Sequence, residues 1–179
     1  MNSTTVQQAL ELLGEHFRWP EPVEITLVGG AAGMLIGTLP PERTTSDCDV
    51  VRHLPEDAGF GLITAAATVA EIMGLDERWL NSDVTNVVPT MPDGWRDRRH
   101  RLGYFGEHLI VFAADRVDLI ALKFLAGRDQ DLDDLEALAV TGEDTETARH
   151  YLEQLAATDY DAEKLTAARE LIDAWETKP

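Results

Sequence analysis

A short apolar run that ends in two glycines, Ile25-Thr26-Leu27-Val28-Gly29-Gly30, is followed by Asp47-Cys48-Asp49-Val50-Val51, and this pair of segments constrains the chain more than any other feature. A strand that enters paired glycines can turn straight into a helix, because glycine adopts backbone angles closed to other residues. The helix start presents backbone N–H groups and the positive end of a dipole, which suits an anionic phosphate. In the second strand, residues two apart share a face. Asp47 and Asp49 therefore converge while Cys48 turns to the core. Two neighbouring carboxylates are the hard oxygen ligands that Mg²⁺, or Mn²⁺, takes when it also holds substrate phosphates. If the two strands are antiparallel, the start of the second lies beside the glycine turn, and the carboxylates meet the phosphate cradle.

A dinucleotide-binding fold is the main competitor. Gly30-x-x-Gly33 mimics half of its glycine pattern, and an acid follows at about 20 positions. Against it, Val28 stands where the first glycine belongs, and Asp47 and Asp49 precede the apolar residues of their strand. A thiol between two acids has a raised pKa, so Cys48 is read as structural and not as a nucleophile.

The formal net charge of -18 argues against a general DNA binder or a protein held on an anionic membrane, since both surfaces would repel it. The one dense positive patch is Arg96, Arg98, Arg99, His100 and Arg101, the best place for a tRNA or a substrate tail to touch. His16, His53, His108 and His150 lack metal-ligand spacing and are read as structural or exposed. The four tryptophans are assigned to core edges. A single cysteine excludes an internal disulfide, and with no leader and no apolar run near the about 18 residues of a membrane span, a cytoplasmic protein is expected.

With 179 residues, the chain can bury one good core and carry a helical appendage, so the expected division is a domain over residues 1–140 and a helical extension over 141–179. Apolar spacing predicts helices over residues 4–18, 30–37, 57–73, 116–126 and from 132 to 138. Two more are expected over 144–157 and 161–176, each opened by an aspartate, Asp144 and Asp161, suited to N-capping. Strands are expected over 24–28, over 48–52 with Pro55 ending it, and over 108–113. Residues 79–88 carry no decisive pattern, and 89–94 read as turns. Lys123 sits on a leucine-rich helix, where a lysine ordinarily extends its stem over apolar surface and reaches water.

The stretch Val28-Gly29-Gly30…Gly37…Arg43-Thr44-Thr45-Ser46-Asp47-Cys48-Asp49-Val50 resembles the Gly-Gly/Ser…Asp-x-Asp signature of the nucleotidyltransferase fold, and more narrowly the AbiEii/AbiGii-type toxin nucleotidyltransferases. A later stretch, from Asp118 through Lys123 and Arg128-Asp129-Gln130-Asp131 to Asp134-Leu135, resembles the second signature of that group. Together they cover about residues 25–138. The resemblance implies an α/β (α+β) chain of the minimal nucleotidyltransferase type, a small mixed sheet flanked by helices with a C-terminal helical bundle. It implies phosphates against Gly29 and Gly30, Mg²⁺ on Asp47 and Asp49, Lys123 on phosphate charge, and Asp131 completing the catalytic set. The implied activity is transfer of a nucleotidyl group from a nucleoside triphosphate (NTP) to an acceptor such as tRNA or a protein. Such a chain could be the toxin of a toxin–antitoxin pair, with an antitoxin as partner. The third carboxylate of ordinary nucleotidyltransferases has no counterpart in the apolar run Leu109 to Ala113. A catalytically silent nucleotide-binding or interaction module is therefore the alternative.

Overall fold

The structure, a computed structural model, describes residues 1–52, 56–82 and 91–178. His53, Pro55, the stretch 83–88 and Pro89 lie outside the described residues.

Helix α1 (Ser3–His16) opens where the Asn2 side chain accepts from the Thr5 N–H, and it buries Val6, Ala9, Leu10 and Leu13, the stripe that its spacing predicts. Strand β1 (Val23–Val28) runs into α2 (Gly29–Leu35), and β2 (Cys48–Arg52) returns beside β1. Helix α3 (Glu56–Met73) is followed by the two-residue strand β3 (Leu80–Asn81). A single turn, α4 (Trp95–Arg98), leads into the hairpin of β4 (His100–Phe105) and β5 (Leu109–Ala113). Four helices close the chain: α5 (Arg116–Ala126), α6 (Asp129–Ala137), α7 (Gly142–Ala156) and α8 (Ala162–Glu176).

The sheet is mixed, in the order β3-β2-β1-β5-β4. β1 pairs antiparallel with β2 and parallel with β5, and its central place explains why nearly every residue in it is buried. The antiparallel β1–β2 pair excludes the dinucleotide-binding fold, in which the strand after the glycine turn returns parallel. α1 packs on α3 and β4, α5 packs on α6, α7 and α8, and α2 touches both α1 and α5. One hydrophobic cluster runs from Val6 to Ile172.

Three details depart from the sequence reading. α7 is capped by Thr141, and Asp144 is the reciprocal member of the capping box, accepting from the Thr141 N–H at 2.8 Å while Arg116 donates to it at 2.7 Å. Trp79 is fully buried rather than at a core edge, its indole N–H donating to the Ala66 carbonyl at 2.9 Å. The basic stretch contains α4 and β4, which spacing did not predict. β4 is an edge strand with weak burial contrast, so its two faces leave little alternation to read.

Gly14, in the last turn of α1, lies against the turn of the β4–β5 hairpin. A Cβ there would overlap the Phe105 carbonyl, and one at Gly106 would overlap the Gly14 carbonyl. In an open helix Gly→Ala stabilises by roughly 0.5–1 kcal/mol. Here the sign reverses, and Gly14→Ala is expected to destabilise by about 1–3 kcal/mol in urea unfolding. A gain in stability would show that α1 is not seated on that turn.

Candidate functional site

Because β2 runs antiparallel to β1, Asp49 stands opposite Val28, the last residue before the glycine turn. Val28 is extended and Gly29 takes φ 68°, a left-handed value that favours glycine and swings the chain from strand into α2. The Asp49 Oδ2 atom lies 3.4 Å from where a Gly29 Cβ would be. Asp47 precedes the strand, its Oδ2 accepting from the Asn81 amide at 3.5 Å. Between the two acids Cys48 turns inward and is fully buried. Burial first, then the charges of Asp47 and Asp49, push its thiol up to about 12, so it stays protonated and inert at neutral pH.

The second signature arrives on α5 and α6. Gly127, at φ 59°, ends α5 and lets α6 start almost at once. Asp131 thereby comes beside Lys123, and both line the same cleft as the glycine turn. A cleft of about 640 Å³ is lined by Gly29, Gly30, Asp47, Asp49, Lys123 and Asp131 together, so all six residues singled out in the sequence border one space. Arg43, Arg78, Arg128 and Asn81 border it as well.

Lys123 does not reach water. It is 4% exposed, and its ammonium donates to Asp131 Oδ1 at 3.1 Å and to Asp134 Oδ2. Asp134 also accepts from Nε and, at 2.7 Å, from Nη2 of Arg43. The Arg43 guanidinium in turn lies against Gly30, where a Cβ would overlap it. Asp131 accepts from Arg128 Nε at 2.8 Å and from the Arg128 N–H at 3.3 Å. Burial alone would raise the Asp131 carboxyl. The Arg128 hydrogen bond and the Lys123 charge outweigh it and hold the group below its ordinary value of 3.8.

Arg43, Asp134 and Arg128 lie inside the two resembling stretches, but no spacing rule pairs residues 91 positions apart as Arg43 and Asp134 are. Three members of the basic cluster are tied to the fold, while Arg96, Arg98, His100 and Arg101 all stay exposed. Arg98 donates to buried Asp118 at 2.5 Å, and Arg99 donates to Thr26 at 3.0 Å and covers the Phe112 ring at 4.2 Å. His100 contacts Asp115 at 2.7 Å. Burial pushes the Asp118 carboxyl up despite the Arg98 hydrogen bond.

A mixed sheet with a strand–glycine–helix turn, carboxylates on the antiparallel neighbour and a lysine-bearing helix packed alongside defines a nucleotidyltransferase-like chain. The protein belongs to a family described as nucleotidyltransferases of unknown function (DUF6036), which it matches over residues 4–178. The match reaches beyond the two signatures to take in α1, α7 and α8. No curated protein matches the chain. Among the described residues, no helix is long and apolar enough to cross a membrane.

Two outcomes follow from the buried charges. Lys123→Ala leaves Asp131 and Asp134 without their shared cation, and is expected to cost about 3–5 kcal/mol in chemical unfolding. Native stability near wild type would place the ammonium in water. A depressed carboxyl contributes stability above its unfolded pKa and loses it as pH falls through the folded one. The thermal midpoint should therefore drop as pH falls below about 4, and less steeply in Asp131→Asn. Parallel profiles would show that Asp131 is not held ionised by its partners.

Proposed function

We propose that the protein transfers a nucleotidyl group from an NTP to an acceptor hydroxyl, using the cleft between the glycine turn and α5. The observation that carries this reading is the antiparallel register of Asp49 with Val28, which sets a carboxylate pair beside a turn suited to phosphate. The first N–H groups of a helix have no partner within it, so those of Gly29 and Gly30 are suited to phosphate oxygens. The acceptor oxygen would form a bond to the α-phosphorus as the bond to the β-bridging oxygen breaks. The electron pair leaves on pyrophosphate, and the hydroxyl proton passes to solvent.

Asp47 and Asp49 fit a divalent ion that arrives with its substrate. They supply two hard oxygen ligands at one place, and among the described residues no group of three or more His, Cys, Asp or Glu could hold a metal unaided. Mg²⁺ or Mn²⁺ held there would offset charge on the α-phosphate. Lys123 and Arg128 border the same cleft and add positive charge to that wall, while Asp131 would orient Lys123 and Arg128.

The finer kinship with AbiEii/AbiGii-type enzymes belongs to this proposal. In it the chain is the toxin of a toxin–antitoxin pair, and its expression arrests growth unless Asp47 and Asp49 are replaced. The silent nucleotide-binding module is favoured by one observation: the β5 run Leu109–Ala113 is wholly apolar and brings no third carboxylate to the site.

Labelled NTPs incubated with the protein, Mg²⁺ and either total tRNA or a cell protein extract test both readings. Label transfer is expected, falling by about 100-fold or more in Asp47→Asn/Asp49→Asn. Mg²⁺ should also raise the thermal midpoint of wild type and much less that of the double variant. Nucleotide binding without transfer would favour the silent module. An equal metal response in both proteins would remove the carboxylate pair from the site.

A further inference from the structure

A second cavity, of about 570 Å³, opens from the same place and is assigned to nothing so far. It shares Gly29, Asp49, Lys123, Arg128 and Asp131 with the polar cleft, so the two spaces meet along one wall. Beyond that wall its character changes. Val28 and Val51 of the sheet and Leu122 and Phe124 of α5 line one side, and α8 closes the other with Ala168 and Leu171. Tyr160 and Lys164 are the polar side chains among the described residues on the part that the cleft does not share. Small-molecule sites have this make-up, apolar walls with a few polar groups and volumes of about 300–1,000 Å³.

Resting on the nucleotidyl-transfer reading, we infer that this cavity holds the base and ribose of the nucleotide whose phosphates occupy the polar cleft. The nucleoside is bonded to the α-phosphate through its 5′ oxygen, so the ribose must adjoin whatever holds that phosphate and the base must lie in the space just beyond. The space sharing Asp49 and Lys123 meets that requirement. A flat base and a sugar fit a space of this volume and apolar lining. The last helix thereby becomes a wall of the substrate site. Its apolar lining grips the faces of base and ribose, while Tyr160 and Lys164 are left to read the base edge.

Calorimetric titration of the full chain in Mg²⁺ with an NTP and with inorganic tripolyphosphate tests this. Ala167 of α8 and Ala126 at the end of α5 both line the cavity and are exposed, so tryptophan at either fills it from an opposite wall without entering the core. Wild type is expected to bind NTP more tightly than tripolyphosphate. Ala167→Trp and Ala126→Trp should each weaken NTP binding by about tenfold or more and leave tripolyphosphate affinity unchanged, with normal circular dichroism. Full NTP affinity in a folded variant would overturn the nucleoside assignment. So would a wild type that binds NTP no better than tripolyphosphate, a comparison that needs no variant, and in both cases the phosphate cleft would stand. Binding of neither ligand would instead sink the nucleotidyl-transfer reading, and this inference with it.

Discussion

A lysine ammonium buried between two aspartates holds the two halves of the site in register. Lys123 comes from α5, Asp131 and Asp134 from α6, and Arg43 from the loop between α2 and β2. A buried charge is costly unless it is paired and its hydrogen bonds are met, and removing one partner costs more than the pair contributes. Asp134 accepts from both Lys123 and Arg43, so the loop that ends at Asp47 can settle only where α6 already lies. Gly30 is part of the same constraint, because only a residue without a side chain leaves room for the Arg43 guanidinium above it. The glycine turn thus has a structural reason beside the phosphate role proposed for it.

Charge placement separates the site from the rest of the molecule. The chain carries a net -18, and from residue 129 onward it holds 15 acidic against 4 basic residues. The cleft is different. Arg43, Arg78, Lys123 and Arg128 balance Asp47, Asp49, Asp76 and Asp131 along its lining. A polyanion repelled by most of the surface meets a locally neutral cleft, and a divalent ion brought with it would shift that balance further in its favour. Two arginines of the basic patch also tie the fold together. Arg98 neutralises Asp118 on α5, and Arg99 ties β4 to the sheet through Thr26 and the face of Phe112.

Much of the architecture was legible because it is written in short windows. The Val6–Leu13 stripe, the run into Gly29-Gly30, the limits of β2 and the glycine that ends α5 all follow from local periodicity and backbone freedom. The glycine turn and the Asp47/Asp49 pair were legible as motifs for the same reason, each lying within one short window. Edge strand β4 was not, because a strand with one neighbour and little buried area has weak alternation. Nor was the cap of α7, where Thr141 and Asp144 are both acceptable N-caps and only the surrounding chain selects between them.

By itself the sequence determined that this is a mixed α/β chain with a glycine turn, a carboxylate pair and a lysine-bearing helix, the features that also place it among the nucleotidyltransferases. Tertiary structure decided the strand direction that sets Asp49 beside Gly29, the burial of Lys123, and the pairing of Arg43 with Asp134. It also decided that α8, outside both signatures, closes a cavity against the same site. The physical reason is range. Propensity, capping and facing are settled by neighbours a few residues apart, whereas which buried charge meets which, and what a cavity is made of, depend on segments that only the packed core brings together.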